Sequence, residues 1–220
     1  MRVSLHPDYR VDLPPSHPYP MANSAAASRA AGGGPGRGGG THPAFANRRE
    51  SFCALNGVAN AIRSLQAEVR LRRALVVDLD GHQGNGTATI FACDGDVYTL
   101  SRHGERNRPA RKAVSSRDVG LPDGSGGDAY LQALAAADPE IVFLVAGVDV
   151  VACDRDGRFA LSDQGLGRRE QHVRAAVRDH GHPLANVPGG GYARTAQRSA
   201  ELHAVVFEEA ALRWRAERNA

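Results

Sequence analysis

Residues 76–87 read Val-Val-Asp-Leu-Asp-Gly-His-Gln-Gly-Asn-Gly-Thr, an apolar run that carries two carboxylates and an imidazole straight into a glycine-rich turn. The apolar part, residues 74–79, has the composition of a buried parallel strand. Alternation along an extended segment puts Asp78, Asp80 and His82 on one side. Carboxylate oxygens beside one imidazole suit Zn²⁺ or Fe²⁺ and leave coordination positions open, as in a catalytic site and unlike a closed structural one. A solvated loop would also collect acidic residues and histidine. The buried strand before the group, with Gly84 and Gly86 permitting a tight path after it, favours a metal site beyond the strand's carboxyl end.

Further along the chain, helical and extended patterns alternate. The spacing of Val58, Ala59, Ile62 and Leu65 predicts a helix from Asn56, ahead of the strand at 74–79. Residues 97–100 predict the next strand, 128–137 a helix with Tyr130, Leu131 and Leu134 inward, and 141–145 another buried strand. A helix over 167–179, a short strand over 183–187 and a long amphipathic helix over 196–215 complete the series. The sum is an α/β fold with a mostly parallel sheet flanked by helices. In such sheets ligands gather beyond the carboxyl ends of strands. Three strand ends there carry suggestive residues: Asp78, Asp80 and His82; then Asp149; then Gly189, Gly190, Gly191 and Tyr192.

At 220 residues and 42% hydrophobic content the chain supports one sizeable domain. Its net charge is +3, with basic side chains scattered along the sequence, so no nucleic-acid partner is indicated. Arg70, Arg72 and Arg73 read as a solvated helix end. Cys53, Cys93 and Cys153 are distant and odd in number, which fits reduced thiols in the cytoplasm better than a disulfide framework. No apolar stretch approaches the ~20 residues of a membrane span. Residues 1–21 form a proline-rich extended opening. Residues 22–38 form a Gly/Ala-rich linker, without the strand and Lys-Ser/Thr of a phosphate-binding loop. The α/β domain occupies 39–220.

These blocks, taken in order, resemble the zinc-dependent histone deacetylase family, in particular its bacterial acetoin-utilization and class IV-like members. The matching stretches are His6-Pro7-Asp8-Tyr9, residues 13–21, Gly39-Gly40-Thr41-His42-Pro43-Ala44-Phe45, Ser51-Phe52-Cys53-Ala54-Leu55-Asn56, residues 78–87, Leu121-Pro122-Asp123-Gly124, Ala146-Gly147-Val148-Asp149 and Gly189-Gly190-Gly191-Tyr192. The resemblance implies an arginase/deacetylase-like fold, incomplete in its N-terminal part, in which Asp80, His82 and Asp149 hold the divalent metal, usually zinc. It implies that Tyr192 meets the developing oxyanion, that Asp78 orients His42, and that Asp78 and Ser101 adjoin a structural K⁺. Phe52 and Gly190 would line the channel for an acylated amine.

The chain departs from this pattern at two positions beside the expected site. The family shows two adjacent histidines where this chain has His42-Pro43, and the missing second imidazole is the one assigned to proton transfer. Ser51 stands where glycine is usual. The low-complexity stretch at 22–38 replaces helices, which implies exposed apolar surface or a covering second subunit. The resemblance therefore implies a metal-dependent amide hydrolase acting on acyl-lysine or acylpolyamine. Its alternative is a catalytically impaired relative that retains metal and acyl-ligand binding. An arginase-like hydrolase is disfavoured, since ligands for a second metal are not visible.

Overall fold

A computed structural model describes residues 42–51, 53, 55–126 and 139–218, with side chains as far as residue 212. Helix α1 (Gly57–Ala67) leads into strand β1 (Ala74–Asp78), and a short helix α2 (Asn85–Ile90) follows. Strands β2 (Val97–Gly104), β3 (Arg117–Leu121) and β4 (Ile141–Ala146) come next, then helix α3 (Asp163–Asp179), strand β5 (Leu184–Pro188) and helix α4 (Ala196–Arg218). The five strands form one sheet in the order β3-β2-β1-β4-β5, and every neighbouring pair is parallel.

Strand β1 lies in the middle, buried along its whole length. Its alternation sorts the core into two layers, as a pleated strand must. Leu75 and Val77 face Leu144, Leu166, Val173, Leu202 and Val206 on the side of α3 and α4. Ala74 and Val76 face Val58, Ala59 and Ile62 of α1, with Phe91 and Phe143. Asn56 begins α1 because its Oδ1 accepts the Ala59 N–H at 3.0 Å.

The chain runs outward from β1 through β2 to β3, then returns to β4 and β5 on the other side. That reversal of direction places a crevice at the carboxyl ends of β1 and β4, where open α/β sheets bind ligands.

Several expectations are displaced by the structure. Strand β2 runs to Gly104 instead of ending at Leu100, because Ser101 and His103 are buried against β3. Strand β3 was not anticipated, as its Arg117-Asp118-Val119-Gly120-Leu121 sequence is that of a solvated edge. Helix α3 starts at Asp163, four residues before the predicted 167, since the Ser162 hydroxyl accepts the Gly165 N–H at 3.0 Å and caps it. The helix expected over 128–137 and the segments 1–21 and 22–38 lie outside the described residues. No helix among the described residues is long and apolar enough to cross a membrane.

Candidate metal centre

Strand β1 ends at Asp78, so simple alternation does not place the two groups beyond it. Two successive side-chain turns do. Asp78 Oδ1 accepts the Asp80 N–H at 3.1 Å, and Asp80 Oδ1 accepts the His82 N–H at 2.9 Å. Such bonds from an aspartate to the backbone two residues on replace the strand ladder with a tight path. They turn Asp80 and His82 toward Asp149, which follows β4. The three candidate ligand atoms lie within 4.8 Å of one another.

Asp80 and Asp149 are fully buried, and His82 is nearly so. The Gly190 N–H donates to Asp80 Oδ2 at 2.5 Å, and the Gly81 N–H donates to Asp149 Oδ1 at 2.8 Å. Each carboxylate is thus oriented by a backbone amide from a different strand end. Close approach leaves no room for larger residues there: a Cβ on Gly147 would stand 2.5 Å from Asp80 Oδ2.

A cation fits this donor set. His82 Nδ1 lies 3.1 Å from Asp80 Oδ1 and 2.8 Å from Asp149 Oδ2, close to the separation of about 3.3 Å between atoms sharing a tetrahedral ion at 2.0 Å. Although so near the imidazole, Asp149 Oδ2 takes no well-aligned hydrogen bond and is buried from water. Electrostatics points the same way. Burial and the Asp80 charge push the Asp149 carboxyl up to about 7, against the pull of His82. Burial lowers the His82 imidazole, but Asp149 and Asp80 outweigh it and raise the group to about 11. Burial would raise Asp80, yet His42 and His82 hold it well below the ordinary carboxylate range. Two buried carboxylates compete for too little positive charge, which a divalent cation would relieve.

His42 forms a second group beside the trio. Its Nδ1 lies 2.7 Å from Asp78 Oδ2, and its Nε2 lies 3.6 Å from Asp80 Oδ1. A Cβ on Gly84 would come within 2.2 Å of Asp78 Oδ2, so only glycine admits this pairing. Residues 42 and 43 lie in a turn. The Thr87 N–H holds it by donating to the His42 carbonyl at 3.0 Å, and Asn56 Nδ2 by donating to the Ala44 carbonyl at 3.1 Å. Burial lowers the His42 imidazole, but Asp78 and Asp80 together raise it to about 9. A cation on Asp80 would oppose that rise.

The pocket over this floor is lined by His42, Pro43, Ser51, Cys53, His82, Arg108, Asp156, Gly189, Gly190 and Tyr192. Tyr192 is half-buried, its ring perpendicular to that of His82 with centroids 5.9 Å apart. Its N–H donates to Asp154 Oδ2 at 2.5 Å, a fixing residue that the sequence reading missed. Ser51 adopts φ 53°, the left-handed region that favours glycine. Ser101 pairs in register with Asp78, and its Oγ lies 3.0 Å from His103 Nδ1. Phe52 lies outside the described residues. The trio is the one group of three or more candidate ligands among the described residues, with no second cluster of the kind a two-metal site needs.

The scaffold and floor define a class: a parallel α/β protein with a candidate carboxylate–imidazole–carboxylate cation site at the switch point of its sheet. The sequence profile described as "Histone deacetylase domain" matches residues 22–207, and the chain belongs to that family. It is 43% identical over 182 residues to an uncharacterized protein of Picosynechococcus sp., covering 79% of this chain and 59% of that one. It is 31% identical over 173 residues to Histone deacetylase 2 of Arabidopsis thaliana, covering 73% and 44%. Among solved structures, the acetylpolyamine aminohydrolase from Burkholderia pseudomallei aligns with TM-score 0.65 and 28% identity, over 86% of this chain and 60% of that one. The HDA15 HD domain aligns with TM-score 0.67 and 26% identity, over 86% and 61%. The chain therefore spans about half the length of the curated relatives it matches.

Proposed function

We propose that this chain is a catalytically impaired member of the family, which holds a divalent cation and binds an acylated amine beside it but hydrolyses the amide poorly. The cation would be zinc, with Fe²⁺ the alternative, on Asp80, His82 and Asp149. When bound, such an ion polarises an amide carbonyl and lowers the pKa of water, supplying a nucleophile near neutral pH. The ligand reading, acyl-lysine or acylpolyamine, rests on the family and on its likeness to a histone deacetylase and an acetylpolyamine aminohydrolase.

The observation that carries the proposal is the make-up of the pocket wall. Its imidazoles are His42 and His82, and the next position after His42 is Pro43. His82 belongs to the cation trio. His42 is tied to Asp78 through Nδ1 at 2.7 Å, and it has no second imidazole beside it in the chain to share the proton that amide hydrolysis must move. Proline has no group to do so. Tyr192 would still donate its phenol to the charge developing on the carbonyl oxygen, and the Asp154 contact holds its backbone for that task. General acid–base help is worth about 10² to 10⁴-fold, which sets the size of the defect.

One observation favours residual turnover: the His42–Asp78 pair at 2.7 Å keeps an ionisable imidazole at the pocket, able to donate a proton to a leaving amine. Both readings meet in one assay. Zinc-loaded protein and its Pro43→His variant are compared on an acetyl-lysine peptide and on an acetylated polyamine. A silent or slow parent with an active variant supports impairment, whereas equal turnover by both overturns it.

A further inference from the structure

We infer that Arg169 is a positioning residue for the cation site, its guanidinium setting the spacing between the two strand ends that present Asp80 and Asp149. The inference rests on the cation-site reading above. Arg169, on α3, is among the largest fully buried side chains of the molecule. A guanidinium cannot shed its charge, so burying one is costly unless its donors are used.

The donors meet both ligand-bearing strand ends. Nη1 donates to the Gly147 carbonyl at 2.7 Å and to the Leu79 carbonyl at 3.2 Å. Leu79 immediately precedes Asp80, and Gly147 stands two residues before Asp149. The Leu79 N–H to Val145 carbonyl bond, 3.0 Å, joins the two backbones as they leave the sheet. Beyond it the Gly81 N–H reaches the Asp149 carboxylate at 2.8 Å, and the guanidinium ties the two backbones together through their carbonyls. Movement of Gly147 reaches the trio directly, because its Cα packs against Asp80.

The remaining donors fix the guanidinium itself. Nε and Nη2 donate to Glu170 Oε1 at 3.1 and 2.7 Å. Glu170 Oε2 accepts from Arg174 Nη2 at 3.2 Å, and Arg174 Nη2 also reaches the Val206 carbonyl on α4 at 3.4 Å. Arg174 therefore shares the ion cluster but touches neither ligand-bearing strand end through these bonds. That difference separates positioning from plain structural support.

The experiment measures zinc Kd by competition with a chromophoric chelator on full-length wild type, Arg169→Lys, Arg169→Met and Arg174→Met. Fold is checked by far-UV circular dichroism and thermal midpoint without zinc. The expected result is zinc binding weakened about 10 to 100-fold by Arg169→Met, the range for groups that orient metal ligands. Arg169→Lys, which keeps the charge but loses the planar fork, should weaken zinc in a protein that remains folded. Arg174→Met should lower the thermal midpoint with zinc affinity unchanged. If folded Arg169→Lys binds zinc as tightly as wild type, the positioning role is overturned and the cation site stands. If wild type binds zinc no better than Asp80→Ala, the cation site falls and the positioning role falls with it.

Discussion

The floor of the pocket and its wall are built differently. On the floor, Asp80 and Asp149 are fully buried, and each is oriented by an amide from a different strand end. On the wall, His42 and Pro43 sit in a turn, Ser51 is exposed in a left-handed conformation, and Tyr192 is half-buried. Both departures beside the site from the family resemblance, Pro43 and Ser51, fall on the wall. On the function proposed above, holding a cation and moving a proton would rest on separate pieces of backbone, so that one could be lost while the other persists.

The sharpest way to break this contrast is to remove the floor. Asp80→Ala or Asp149→Ala should abolish stoichiometric zinc, a loss beyond the roughly 100-fold that a supporting residue causes, as read by elemental analysis after dialysis. Metal content equal to wild type would place the ion elsewhere. Next in size, Pro43→His should raise kcat/KM on an acetyl-lysine peptide by about 10² to 10⁴-fold with zinc content constant. In that restored background, Tyr192→Phe should cost about 10² to 10³-fold in kcat if the phenol meets the oxyanion. An unchanged kcat would leave the ring as a wall element only.

A smaller effect concerns the support behind the wall. His203 on α4 lies against the Gly191 backbone, where a Cβ would meet its Nε2 at 3.0 Å. Burial pushes its imidazole down to about 4 from an ordinary 6.5. The unfolded chain therefore binds the extra proton between those values. The resulting stability is present above pH 6.5 and is lost as pH falls toward 4, by about 3 kcal/mol in all. Urea titrations at pH 7 and pH 4.5 should show a shallower acid loss in His203→Asn than in wild type. Least of all, Ser51→Gly should relieve the φ 53° strain and stabilise by up to about 1 kcal/mol, seen as a higher urea midpoint.

Much of this organisation was legible from residue order. Leu75, Val76 and Val77 announced a buried strand, and Asp80 and Asp149, each following an apolar run, announced two strand ends that the sheet order makes neighbours. The spacing of Val58, Ala59 and Ile62 gave α1 and its inward face. What escaped was built from polar residues whose burial depends on partners far along the chain. Ser101 and His103 fall beyond the strand expected over 97–100, and β3, which covers them, itself has an edge composition. Arg169 and Glu170 look like solvated helix charges, although their positions between Leu166 and Val173 put them on the buried face. That spacing was the available signal. Asp154 offered none, because its bond to Tyr192 N–H joins residues 38 apart in sequence.

The parallel order of the sheet has a practical side. Every group named in the chemistry sits at one rim. The opposite rim carries Arg72, whose N–H reaches Glu140 and whose Nε reaches Asp96, at the starts of β1, β4 and β2. Five strand residues at about 3.3 Å each separate the two rims by roughly 16 Å. A fluorophore or surface tether attached at that far rim would report on the protein while leaving the pocket open to its ligand.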